Sequence, residues 1–187
     1  MKYLVTNLLI IMMMTGCSSI DGVKRAQYAK PSDLRVWNDA IRQDTAKMTL
    51  RIDIQVKDKD FSGLCILKNM DNQLKGTVVN DMGAKAFDFI LTGEGCQLLD
   101  VNSMLDKAYI IRTVEDDLHF LFEADNPESQ FYADGERFEQ DNLLIINYKK
   151  KQIVKEPSGA IVLSNLKYGV KYKLRRIAEI DRNKIIL

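Results

Sequence analysis

The stretch Lys47-Met48-Thr49-Leu50-Arg51-Ile52-Asp53-Ile54-Gln55-Val56-Lys57 decides how this chain folds. Met48, Leu50, Ile52, Ile54 and Val56 alternate without a miss with Lys47, Thr49, Arg51, Asp53, Gln55 and Lys57. Successive side chains of an extended strand point to opposite faces, so a period of two gathers the apolar groups on one side. Such a segment fits an antiparallel sheet with one face on a core and the other in water.

Four more strand patterns follow at short intervals. Asp58-Lys59-Asp60 is a polar turn into Phe61–Lys68, where Leu64, Cys65, Ile66 and Leu67 are apolar on both faces and Gly63 permits close approach or a bulge. Met70-Asp71-Asn72 turns into Leu74–Val79, and Asn80-Asp81-Met82-Gly83 turns again, with Gly83 suited to positive φ. Ala84–Thr92 sets Phe87, Phe89 and Leu91 on one face, and Gly93-Glu94-Gly95 leads to Cys96–Val101. Five strands joined by tight turns make a meander.

The period then changes. Ser103-x-x-Asp106 has the form of a capping box, and Leu105, Ala108, Ile111, Val114, Leu118 and Leu121 recur at helical spacing. The spacing predicts a helix of four to five turns, with Thr113 as a candidate break, ending before Asn126-Pro127. Its apolar stripe needs a partner, and the apolar face of the meander is the large one available. Beyond Pro127 the period of two returns. Gln130–Ala133 and Glu136–Glu139 flank Asp134-Gly135, a hairpin signal. Leu143–Lys149, Gln152–Lys155, Ala160–Leu163 and a last strand from Tyr168 to about Ile180 complete the set. Upstream, Ser32 offers an N-cap, and Leu34, Trp37, Ala40 and Ile41 predict a short helix to about Asp44. The expected fold class is α+β, mostly antiparallel: nine or ten strands in a curved sheet, with a central helix and a short N-terminal helix.

The first residues carry a different signal. After Met1-Lys2-Tyr3 an apolar block runs from Leu4 to Met14, broken only by Thr6 and Asn7. It is shorter than the ~20 residues that span a bilayer and matches the apolar core of a secretory signal. The junction Thr15-Gly16-Cys17-Ser18-Ser19 resembles the lipobox of bacterial lipoproteins, with Met14 where that family prefers Leu. The resemblance implies that Cys17 is joined to diacylglycerol, that cleavage makes it the first residue, and that Ser18 directs the protein to the outer membrane. The expected organisation is a signal peptide over 1–16, a lipidated Cys17 and flexible tether over 17–31, and one domain over 32–187. Two or three acyl chains would hold it firmly on a membrane.

Composition narrows the functions. Without residues 1–16, a chain of 187 residues retains 171, enough for one domain with a proper core. With Lys2 gone, the 27 basic residues become 26 against 26 acidic, so no nucleic-acid partner is indicated. The one basic run, Lys149-Lys150-Lys151, reads as a solvated strand end. Charged residues at 28% and only three prolines argue against disorder beyond the tether. Cys65 and Cys96 form a disulfide or remain buried thiols; an exported chain permits the first.

Catalytic signals are sparse. His119 is the only histidine and has no nucleophile motif beside it. No HExxH, paired CxxC, P-loop or GxSxG pattern occurs. Glu115-Asp116-Asp117 and Asp58/Asp60 lack the spacing of a calcium loop and read as surface charges. Gly93 and Gly95 lead into a strand, so they offer no phosphate cradle. The sequence therefore implies no enzyme, metal or cofactor, and a monomer.

A lipobox, a short N-terminal helix, a meander, a central helix and a returning set of strands together resemble the LolA/LolB-like lipoprotein carriers and receptors. The likeness covers residues 32–181 in element order, and the Gly83–Phe89 segment looks like that of related small lipoproteins. It implies an open half-barrel over a hydrophobic cavity lidded by helices, receiving lipid or lipidated protein. Leu50, Ile52, Ile54, Phe87 and Phe89 are then the candidate cavity lining, and Met82 the candidate exposed transfer residue. Acyl chains or lipoproteins would be the partners, and the N-terminal lipid the link to the membrane. The rivals are a structural or assembly lipoprotein with a filled core, acting through its outer surface, and an enzyme with a site of dispersed residues around His119.

Overall fold

The structure, a computed structural model, describes residues 47–57, 59–70 and 73–177. Cys17, the segments 1–16 and 17–31, the helix expected around Trp37, and positions 178–180, to which the last strand is expected to run, lie outside the described residues; the described strand ends at Arg176.

Ten strands form one antiparallel sheet. They are β1 (Lys47–Val56), β2 (Lys59–Met70), β3 (Gln73–Asn80), β4 (Lys85–Thr92), β5 (Gly95–Leu99), β6 (Glu136–Gln140), β7 (Leu143–Tyr148), β8 (Lys151–Lys155), β9 (Ile161–Asn165) and β10 (Val170–Arg176). Two helices, α1 (Ala108–Glu123) and α2 (Gln130–Asp134), stand between β5 and β6. The order β5-β4-β3-β2-β1-β10-β9-β8-β7-β6 reads as two five-strand meanders joined edge to edge. The first walks from β1 out to the β5 edge. The chain then crosses through α1 and α2 to the opposite edge and walks back from β6 to β10, which pairs with β1. The sheet stays open, an α+β half-barrel, because β5 and β6 end it without meeting each other.

The alternation predicted for β1 appears directly as burial: Met48, Leu50 and Ile52 are buried, whereas Thr49, Arg51 and Asp53 are half-exposed. Gly63 meets a steric demand, since a Cβ there would lie 1.9 Å from the Val79 carbonyl oxygen. The irregularity falls one pair further on: Val78 pairs with Phe87 and Val79 with Lys85, leaving Ala86 as the extra residue of a bulge.

Four expectations between the meanders are corrected. Ser103 and Asp106 do not cap the helix. The Asn102 carbonyl accepts from Leu105 N–H and its side chain from Met104 N–H, closing a turn there. Lys107 is extended (φ −129°, ψ 127°), so α1 begins only at Ala108, and it runs unbroken past Thr113. Gln130–Ala133 is helix rather than strand. The Ser129 hydroxyl accepts from Tyr132 N–H at 3.1 Å and donates to the Glu123 carbonyl at 2.7 Å, a local N-cap that outcompetes extension. Asp134-Gly135 is accordingly no hairpin turn. The hairpin closes at Asp141-Asn142, both at positive φ (52° and 63°), as a two-residue turn between twisted strands requires.

Candidate functional site

The inner face of the sheet is a set of apolar rows fixed by register. Leu50, Cys65, Val78 and Phe87 are successive partners across β1 to β4. Met48, Leu67, Gly76, Phe89 and Leu98 make a parallel row reaching β5. On the other half, Ile54, Tyr172, Leu163, Ile153 and Ile146 run from β1 to β7. Of the candidate lining residues, Leu50 and Ile52 are 0% exposed, Phe87 3% and Phe89 1%, and Ile54 packs half-buried against the same core. Gly76 makes room for its partner's ring: a Cβ there would lie 2.1 Å from Phe89. Phe89 in turn stacks on Phe122 of α1, centroids 6.0 Å apart.

The helix α1 packs over β5, β9 and α2. Leu118, Phe120, Leu121 and Phe122 are buried on it. Beside α2, Phe120, Phe131 and Tyr148 form an aromatic cluster with centroids 5.0–5.8 Å apart, Phe131 meeting each of the other two edge to face. His119 adds its edge to Phe131 at 4.9 Å. Burial lowers the His119 pKa, against the charges of Glu123 and Asp116 and a backbone hydrogen bond at Gly93.

A polar clamp interrupts this apolar contact. Asp117, placed by its acidic neighbours among surface charges, is instead fully buried. Asn165 Nδ2 donates to its Oδ1 at 2.7 Å and Lys151 Nζ lies 3.0 Å from the same oxygen. Among the described residues Asp117 Oδ2 is buried without a hydrogen-bond partner, although the Tyr172 hydroxyl faces the carboxylate closely enough for each to shift the other. Burial raises the Asp117 pKa, while Lys151, Asn165 and Tyr172 oppose the rise. Lys151 also pairs with Asp116 at 2.5 Å, so only Lys149 and Lys150 of the basic run are solvated. Further in, Lys155 occupies an inward position between Ile161 and Leu144 and pairs with Asp125. Burial pushes its pKa down to about 8.

Arg137 holds the corner where the helices meet. Its guanidinium donates to the carbonyls of Tyr132 at 2.8 Å, Phe131 and Gly135 at 3.3 Å, and Ala124, and stacks 4.0 Å from the Tyr132 ring. Carbonyls at helix C-termini carry partial negative charge and so help to compensate the buried cation. These inward polar positions carried a signal in the sequence. Asp117 falls in phase with Val114 and Leu121 on the helical stripe, and Lys151, Lys155 and Asn165 fall in phase with Ile153 and Leu163 along their strands.

The β3–β4 turn presents Met82 at 90% exposure. It is a built turn. Asn80 Oδ1 accepts from Met82 N–H at 3.0 Å and Ala84 N–H at 2.8 Å, Gly83 takes φ 81°, and Arg51 grips Asp81 through two bonds of 2.7 and 2.9 Å.

The disulfide alternative is corrected: Cys65 and Cys96 are free thiols. They stand on β2 and β5 with two strands between them. At ~4.8 Å per strand that separation far exceeds the reach of a disulfide. Burial pushes both thiols up to about 12, aided at Cys96 by Glu115.

Among the described residues no grouping of three or more His, Cys, Asp or Glu could hold a metal ion, and no helix is long and apolar enough to cross a membrane. Compared with known proteins, the chain matches no protein-family model and no curated sequence.

Proposed function

We propose that this protein is a non-enzymatic, lipid-anchored lipoprotein of the outer membrane that binds an acyl chain, or the lipid of another protein, between the inner face of its half-barrel and α1. The observation that carries this reading is the inner face itself: apolar rows spanning β1 to β5 and β1 to β7, in an open sheet crossed by one long helix. Apolar area of that kind binds by removal from water, at roughly 25 cal/mol per Å².

The burial of the lining sets a condition. Leu50, Ile52, Phe87 and Phe89 are at most 3% exposed, so a ligand reaches them only when the elements over them move. The clamp at Asp117 makes α1 the natural moving part. Its polar bonds can exchange for water when the helix lifts, whereas a wholly apolar contact would have no such substitute. Met82 stands ready as the exposed apolar contact for a membrane or a donor protein.

A second reading has its own support. The same burial describes a filled core, and Phe138, Ile145, Val154 and Val162, successive partners across β6 to β9, leave a half-buried apolar stripe on the outer face. In that reading the outer surface does the work, as in an assembly lipoprotein.

Binding of a fluorescent fatty acid to the full chain carrying Cys17→Ser separates them. The carrier reading expects saturable binding, weakened about tenfold by Ile54→Trp, which fills the half-buried end of the lining; one large apolar contact is worth about that much. Uptake unaffected by Ile54→Trp, or none at all, favours the outer surface.

A further inference from the structure

Two neighbouring turns form a surface that neither reading of the hollow uses. Lys149 and Lys150 connect β7 to β8, and Leu166, Lys167, Tyr168 and Gly169 connect β9 to β10. The turns are tied together by a 2.8 Å bond from Leu166 N–H to the Lys150 carbonyl. Leu166 is 68% exposed and Tyr168 46%. All three lysines are exposed, and among the described residues none has a carboxylate within ion-pairing distance. Asp116 and Asp134 act on Lys149 and Asp116 on Lys167, but Asp116 is paired with Lys151. The Val56–Val170 pairing brings a fourth exposed lysine, Lys57, to the same end of the sheet.

We infer that this twin turn is a docking patch for an anionic bilayer surface. Three exposed lysines in the turns that carry a projecting leucine and tyrosine, with Lys57 at the same end of the sheet, match the two layers of such a surface. Lysine stems lie along apolar ground while their ammonium groups reach phosphates, tyrosine suits the headgroup level, and leucine enters the acyl boundary. The lysines are pre-positioned: Lys149 Nζ lies 4.9 Å over the Tyr148 ring and Lys167 Nζ 4.8 Å over the Tyr168 ring. The two tied turns hold the patch rigid, so little ordering is lost on contact. Because the β3–β4 turn opens at this same end, a bilayer meeting Leu166 also faces Met82 and the inner face beside it. The protein would thus stand with the mouth of its half-barrel toward the membrane.

The test uses the full chain with Cys17→Ser, so that no acyl anchor contributes, and vesicles of phosphatidylcholine with or without phosphatidylglycerol. Two double variants carry the same loss of charge at opposite ends of the sheet: Lys150→Gln with Lys167→Gln in the patch, and Lys68→Gln with Lys75→Gln beside the β2–β3 turn. Any contribution of residues 1–16 is equal in both, so their difference reads the patch. The patch variant should bind phosphatidylglycerol vesicles about twenty-five-fold more weakly than the control, about fivefold per lysine removed. The gap should close on pure phosphatidylcholine and narrow in salt. Leu166→Ser should weaken binding about tenfold, with unchanged melting temperature because the site is an exposed turn. Equal binding by the two double variants would overturn the inference.

Discussion

At the scale of the residue, two features make firm demands. Arg137 donates to four carbonyls at the ends of α1 and α2, and its removal takes that cationic donor from all four, with Gly135 N–H left to the Phe131 carbonyl. Arg137→Met should cost about 2–4 kcal/mol, seen as a lower denaturation midpoint at unchanged slope. An unaltered midpoint would show the carbonyls to be hydrated instead. The thiols give a pH test. The folded state holds Cys65 and Cys96 at about 12, above the ordinary 9.0, so the unfolded chain loses its protons first. Their contribution is complete below pH 9 and is lost as pH climbs toward 12. The melting temperature should therefore fall over that window, and Cys65→Ala should flatten part of the fall. Ellman's reagent should find both thiols of the Cys17→Ser chain slow in the native state and fast in guanidinium; a native pair that blocks the count would contradict the two-strand separation.

At the scale of the element, the clamp on α1 is the sensitive point. Lys151→Met leaves Asp117 charged, buried and short of its cation. Breaking a buried pair in this way costs about 3 kcal/mol or more. Asp117 already titrates above the ordinary carboxylate range, and losing Lys151 raises it further. The cost should thus be largest at neutral pH and shrink as acid protonates the carboxylate. In hydrogen exchange, α1 should open before the central strands. Equal opening of α1 and β1 would place the weak point elsewhere.

The strands were legible in the sequence because a wetted sheet imposes a period of two, and Met48 to Val56 obey it without exception. The connection between meanders was not. Ser103-x-x-Asp106 has the residues of a capping box, yet Asn102 captures the local donors first. Asp134-Gly135 has the residues of a hairpin turn, yet the glycine serves close packing, since a Cβ would lie 2.4 Å from the Phe131 carbonyl. The clamp pairs Asp117 with Asn165, 48 positions away, a contact no local pattern can carry. The phase of Asp117 on the apolar stripe was visible, but three acids in a row looked like surface.

At the scale of the whole molecule, two meanders joined at β1 and β10 leave an apolar face whose only described cover is α1 and the α2 corner. Met82→Asp should leave the melting temperature unchanged, because the side chain is 90% exposed, and should lower transfer of bound fatty acid to vesicles; equal transfer would remove Met82 from the process. The central proposal is that an acyl chain occupies the inner face. Photolabelling the full Cys17→Ser chain with a diazirine fatty acid, with the labelled peptides read by mass spectrometry, addresses it most directly. The account predicts label on the β1 and β4 peptides carrying Leu50, Ile52, Phe87 and Phe89, increased by Lys151→Met. Label confined to residues 1–16 or to the outer face would contradict it.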